Sequence, residues 1–309
     1  MPLDPAVQAL LTQMENPDAP KLSELDPAVA RAGFAAMAAL QGEPEAVASV
    51  EDRKVPGPAG DIPVRIYKSS SGPNLPAVVY FHGGGWVIMD VETHDSLCRA
   101  LANAAKCAVV SVDYRLAPEA KYPAASEDCF AATRWVAENA EVLGLDVSRI
   151  AVAGDSAGGH LTAVITQMAR DQGGPDLVYQ VMHCPVTDYG YDTPSYAVNG
   201  DGYMLTRESM GWFWNHYLPT PEHGAETYAS PLRGHLSGLP PALVQTAEFD
   251  PLRDEGKAYA DKLKAAGVAV TYSQYPGLIH DSFLFMGVVP GGRKNVDEAA
   301  EHLRRAFGT

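Results

Sequence analysis

IAVAGDSAGG, residues 150–159, reads as a buried strand running straight into a helix, with the turn compressed into Gly154-Asp155-Ser156-Ala157-Gly158. A strand-to-helix corner this tight forces its central residue into an unfavourable backbone conformation, and the residues two positions away on either side must lack bulk. Gly154 and Gly158 meet that demand. The corner lifts the Ser156 hydroxyl clear of the sheet, and the Ala157 amide, at the positive end of the new helix, faces negative charge forming beside it. GxSxG alone is short enough to arise by chance; between a strand and a helix it marks Ser156 as the expected nucleophile.

Outward from this corner, runs rich in β-branched residues alternate with helical stretches. The strands expected are VRIY from Val64, AVVYF from Ala77, AVVSVDY from Ala108, IAVAG from Ile150, VYQVMHC from Val178, ALVQTAE from Ala242 and AVTYSQY from Ala269. Between them lie THDSLCRALANAAK, SEDCFAATRWVAENA, AGGHLTAVITQMARD and LRDEGKAYADKLKAAG, the last stopped by Gly267. This alternation predicts an α/β fold with a mostly parallel central sheet and helices on both faces. Two segments break the rhythm. Residues 1–50 are helical in pattern and interrupted by prolines, and residues 188–228 are dense in aromatics and turn formers. Together they predict a cap over one end of the sheet, ordinary packing helices being the alternative, with the core divided into residues 51–187 and 229–309.

The run FHGGGWVIMD, Phe81–Asp90, follows a strand with three consecutive glycines. Glycines there free backbone amides of obstructing side chains, which suits donors aimed at an oxyanion, usually the largest single catalytic contribution in acyl transfer. Gly84 and Gly85 with Ala157 are the expected donors, Gly83 being the alternative to one of them. His82 is expected to brace the loop through its ring nitrogens.

A serine needs a base, and nine histidines compete. His94, His160 and His302 lie in helical runs, His216, His223 and His235 in or near the cap, and His183 at the end of a buried strand. His280, in YPGLIHDSF after the last strand, fits the chain order nucleophile, acid, histidine. The acid then falls between Ser156 and His280 at a strand's carboxyl end. Asp250 is preferred over Asp188 because Pro251 fixes the following turn and a helix starts there. Glu248, Asp254 and Glu255 are near enough to support it.

A formal charge of −15 among 309 residues argues against nucleic acid and anionic membranes as partners. The opening residues 1–22 hold no basic stretch leading into a long apolar run, so neither a secretory signal nor a membrane span is expected, and the chain reads as cytoplasmic. Cys98, Cys107, Cys129 and Cys184 lack ligand spacing and read as buried reduced thiols, with no metal and no cofactor implied.

HGGGW, DYRLAPE, GDSAGG, DPLRDEG and the late histidine together resemble the bacterial hormone-sensitive-lipase family of carboxylesterases, over about Val64 to Phe285. The resemblance implies an α/β-hydrolase fold and a serine carboxylesterase acting on short or medium acyl chains without a cofactor. It also implies a cap built from the N-terminal region and an insertion after the sixth strand, and a triad of Ser156, Asp250 and His280. DYRLAPE is expected to brace the glycine loop through Asp113 or Arg115. The chain departs from the pattern at two places, with Asp281 where a glycine usually follows the histidine and His160 where asparagine often follows GDSAGG.

The expected partner is a small-molecule ester, with a homodimer left open. Phe34, Met37, Tyr189, Tyr203, Trp212 and Phe213, joined by Trp86 and Asp155, are the expected substrate pocket. An amidase, a peptidase or an acyltransferase would use the same triad, since all share the acyl-enzyme step. A ligand receptor on the same scaffold is disfavoured because His280 is retained.

Overall fold

The computed structural model describes residues 2–16 and 18–309. Eight strands form one sheet: β1 (Ser49–Gly57), β2 (Gly60–Lys68), β3 (Leu75–Phe81), β4 (Ala108–Val112), β5 (Leu145–Asp155), β6 (Tyr179–His183), β7 (Ala242–Phe249) and β8 (Val270–Ile279). Their order is β1-β2-β4-β3-β5-β6-β7-β8. β1 pairs antiparallel with β2 and β2 with β4, while every pair from β4 to β8 is parallel.

Among the described residues the sheet is joined by ten α-helices: α1 (Pro5–Met14), α2 (Pro27–Ala35), α3 (Asp95–Ala105), α4 (Ala124–Glu138), α5 (Ala140–Leu143), α6 (Ala157–Gln172), α7 (Pro194–Asn199), α8 (Arg207–Tyr217), α9 (Arg253–Ala265) and α10 (Arg293–Phe307). Every residue of β3 is buried, as a central parallel strand requires, and its side chains alternate between two cores. Val79 and Phe81 join α4 and α6 on one face, through Cys129, Leu161 and Val164. Val78 and Tyr80 join α3 and α10 on the other, through Leu101, Val296 and Leu303. Each of these large apolar side chains contributes roughly 1.5–3 kcal/mol by leaving water.

β1 was not among the expected strands. Its sequence, SVEDRKVPG, has no apolar run and buries only Val55. It forms because the hairpin closing at Gly57 and Gly60 lays it along β2, an edge position where charged side chains and a proline are tolerated. It starts at Ser49, so the stretch expected to be helical to residue 50 already ends in the sheet.

The segment 188–228 carries α7 and α8. Thr206 caps α8 by accepting from the Ser209 amide, and the helix buries Met210, Trp212, Phe213, Trp214 and Tyr217. Tyr217 stacks on Trp86 of the glycine loop at 4.1 Å and 9°, and Trp214 meets the same indole at 4.6 Å. From the N-terminal segment, Arg31 donates to the carbonyls of Val87 and Ala117 and forks onto Glu119 at 2.8 and 2.7 Å. Lys21 and Ser23 both reach Glu208 of α8. The two segments therefore touch each other and the loop beside Ser156.

Candidate active site

Ser156 sits between β5 and α6 at φ +52°, ψ −115°. A Cβ on Gly154 would meet the Gly158 carbonyl oxygen at 2.3 Å, and one on Gly158 would meet the Phe81 oxygen at 1.9 Å. Both glycines are thus required by backbone packed against backbone. Ser156 Oγ lies 3.0 Å from His280 Nε2, and His280 Nδ1 lies 2.8 Å from Asp250 Oδ2. The other Asp250 oxygen accepts from the Leu252 amide at 2.8 Å, which fixes the carboxylate. Asp188 is elsewhere, paired with Arg233 at 2.6 Å. Cys184, at φ +41° after β6, brings its sulfur within 4.8 Å of the Asp250 and His280 ligand atoms as a buried thiol.

The glycine loop separates its three members. Gly84, at φ +102°, and Gly85, at φ +59°, line a cavity together with Ser156. A Cβ would drive Gly84 into the Ile88 oxygen and Gly85 into the Phe213 ring, each at 2.1 Å. The Gly83 amide instead points at His94 Nε2, 3.4 Å away, and an added Cβ there would strike Asp155 Oδ2 at 2.1 Å. Ala157 opens α6 at the corner.

Asp155 is fully buried between the Tyr80 hydroxyl at 2.6 Å and His94 Nε2 at 3.2 Å. Burial alone would push its carboxyl up, but the His94 charge and the two hydrogen bonds hold it below the ordinary range. His94, expected within a helical run, lies just before α3 and joins the glycine loop to the Ser156 corner through Gly83 and Asp155.

DYRLAPE braces the loop through a different residue from those expected. The Tyr114 hydroxyl donates to the His82 carbonyl at 2.7 Å and its ring stacks on the imidazole, while Arg115 binds Asp128 instead. His82 uses one ring nitrogen, 2.7 Å from the Gly83 oxygen; the other has no hydrogen-bond partner among the described residues. Burial, helped by His94, pulls His82 down to about 4, so the ring is neutral. His160 accepts from the Trp86 indole at Nδ1 and its Nε2 meets the Ala229 oxygen at 3.1 Å, and burial pulls it to about 3. It is a neutral bracket between Trp86 of the glycine loop and the backbone at Ala229.

The cavity beside Ser156 is lined by Leu22, Phe34, Met37, Gly84, Gly85, Ile88, Met89, Ser156, Met204, Leu205, Ser209, Phe213, His280, Asp281, Leu284 and Phe285. Phe34, Met37 and Phe213 stand where expected. Trp86, Asp155, Tyr189, Tyr203 and Trp212 do not line it. Trp86 is held in the stack with Tyr217, and Asp155 faces His94. Tyr189 packs on Trp214, Tyr203 on Phe249, and Trp212 turns to His216. Ile88, Met89, Leu284 and Phe285 were missed although they stand within a few residues of the glycine loop and of His280.

Burial opposes a charged His280, but Asp250 and Asp281 outweigh it and raise the imidazolium well above the ordinary histidine value. Burial pushes the Asp281 carboxyl up to about 6 against the pull of His280, with Asp155 and Asp250 adding to the rise.

A serine on a strand–helix corner, with a histidine and an acid on the loops after later strands of a mostly parallel sheet, is the arrangement of an α/β hydrolase. The chain belongs to that family, whose model, described as the α/β hydrolase fold, matches residues 78–284. It is 48% identical over 252 residues to the carboxylesterase NlhH of Mycobacterium tuberculosis, covering 80% of this chain and 79% of that one. Among solved structures it is similar to an α/β hydrolase from the metagenome of Lake Arreo, at 42% identity and TM-score 0.96 over 99% of both chains. It is also similar to the esterase of Pyrobaculum calidifontis, at 44% identity and TM-score 0.95 over 100% of both. The resemblance to the bacterial carboxylesterases drawn from the motifs is borne out. Among the described residues no helix is long and apolar enough to cross a membrane.

Proposed function

We propose that the chain is a serine carboxylesterase that hydrolyses short- to medium-chain acyl esters through an acyl-enzyme. The observation carrying this reading is the line from Asp250 Oδ2 through His280 to Ser156 Oγ, at 2.8 and 3.0 Å, opening on a cavity walled by glycine backbone and apolar side chains. His280 takes the Ser156 proton as Oγ attacks the ester carbonyl. The amides of Gly84, Gly85 and Ala157 receive the oxyanion, and the imidazolium, held by Asp250, returns its proton to the leaving alcohol. Water then repeats the sequence on the acyl-enzyme.

Phe34, Phe213, Leu284 and Phe285 among the walls limit the length of acyl chain, which supports the preference for modest size. The same reading carries a cytoplasmic location, supported by four free buried cysteines, and a homodimer, for which β8 at the sheet edge is an available surface. Fractionation and light scattering test these two. The activity is tested with p-nitrophenyl esters from acetate to palmitate and matched anilides, on the parent and on Ser156→Ala. Short and medium esters are expected to turn over, with palmitate and anilides far behind and the variant inactive. Palmitate or an anilide as best substrate overturns the reading.

A further inference from the structure

His280 Nε2 has two oxygens within reach. Ser156 Oγ lies at 3.0 Å and Asp281 Oδ2 at 3.1 Å. Asp281 directly follows the histidine and adopts φ +51°, a left-handed conformation disfavoured for residues other than glycine. It opens the short 3-10 turn Ser282–Phe285, yet its side chain makes no capping hydrogen bond there. The residue is 5% exposed, and its Oδ1 has no hydrogen-bond partner among the described residues. The fold thus gives this carboxylate no structural hydrogen bond, and its ion-pair contact is the nitrogen that must accept the Ser156 proton.

We propose that Asp281 is a positioning residue acting through His280: its carboxylate accepts from Nε2 when the free protein's imidazole is protonated, and so favours the imidazolium over the neutral ring more than the Asp250 pairing alone does. The inference rests on the esterase reading above. A proton on Nε2 blocks general-base attack, so the cost falls on the free protein at low pH. The same charge favours the imidazolium that forms once Ser156 has attacked. The other groups facing this pair are Asp250 after β7, Asp155 at the end of β5, Cys184 after β6, His94 before α3 and Tyr80 of β3. Asp250 and Asp155 add negative charge and His94 opposes it. Asp281 is the one that approaches Nε2, the nitrogen that exchanges the proton.

The test is Asp281→Asn, which keeps the size and tolerates the left-handed backbone, with Asp281→Gly as a second variant suited to that φ and circular dichroism to verify folding. Two readouts are taken on parent and variants: kcat/KM for p-nitrophenyl butyrate against pH, and the NMR titration of the His280 ring without substrate. Removing the charge should move both the acid limb and the ring titration down by about one pH unit or more, so that well below both limbs the variant runs about tenfold faster relative to its plateau. A lowered plateau with an unmoved limb and an unmoved ring titration overturns the proposal and makes Asp281 structural. A ring titration that shifts between parent and variants while the parent hydrolyses no ester overturns the esterase reading and leaves the pairing in place.

Discussion

The Tyr114 hydroxyl donates to the His82 carbonyl at 2.7 Å while the two rings stack with centroids 4.3 Å apart. His82 immediately precedes the glycines, so this pair fixes where the Gly84 and Gly85 amides point. Losing one buried hydrogen bond is worth about 0.5–1.5 kcal/mol, or roughly twofold to tenfold in rate if the loosened loop serves the transition state. Tyr114→Phe is expected to lower kcat by that factor with KM little changed. A change confined to KM would assign the loop to substrate binding instead.

Asp250 and Asp188 both follow strands, and their surroundings separate them. Asp250 is fully buried, orients His280 and is itself held by the Leu252 amide; Asp188 is partly exposed and pairs with Arg233. Asp250→Asn keeps the shape but favours the wrong imidazole tautomer, so kcat should fall about 10⁴-fold. Asp188→Asn should change activity by less than about twofold, since exposed ion pairs contribute little. Steady-state kinetics of the two variants decides this, and the opposite ranking sinks the assignment of Asp250.

An unperturbed imidazole would give a rate rising through about pH 6.5. His280 departs from that value. Burial favours its neutral form, but the charges of Asp250 and Asp281 outweigh burial and raise it. Because the base must be neutral, a raised value keeps the inactive imidazolium to higher pH and displaces the acid limb of kcat/KM upward. At pH 6.5 the protein should run well below half its plateau, as measured in a constant-ionic-strength buffer series with spontaneous hydrolysis subtracted. The same linkage makes this pairing's contribution to stability fully present below pH about 6.5 and lost as pH rises through the folded value. A midpoint at or below 6.5 contradicts this account.

Which residues were legible follows from how local their causes are. The Ser156 corner has its signature in five contiguous residues, even though the Phe81 backbone supplies part of the steric demand, and chain order points to an acid and a histidine further on. His94 was hidden because its partner, Asp155, is far away in sequence. β1 was hidden because β2's ladder, rather than any apolar pattern of its own, holds it. Composition correctly marked α8 as aromatic but could not assign its faces. Successive helical residues are rotated by about 100°, so Phe213 reaches the cavity with Ser209, one turn earlier, while Trp212 turns aside and Trp214 and Tyr217 meet Trp86. Helical spacing applied within 207–217 would have separated these roles.

Two glycines with opposite surroundings give a paired prediction. At Gly84 an added Cβ would strike the Ile88 backbone oxygen at 2.1 Å, and φ is +102°, so Gly84→Ala must displace the loop. Loss of one oxyanion donor typically lowers kcat by about 10²–10³-fold, and that is the expected effect at near-unchanged secondary structure. At Gly211, inside α8, an added Cβ meets nothing within 4 Å and φ is not in the left-handed region. Gly211→Ala should therefore stabilise the protein by about 0.5–1 kcal/mol, chiefly by restricting the unfolded chain, and leave turnover intact. Thermal melts and kcat for both variants test the pair. Gly84→Ala retaining full activity would mean that its amide takes no part in holding the oxyanion, and the donors would then have to be sought at Gly85 and Ala157 alone.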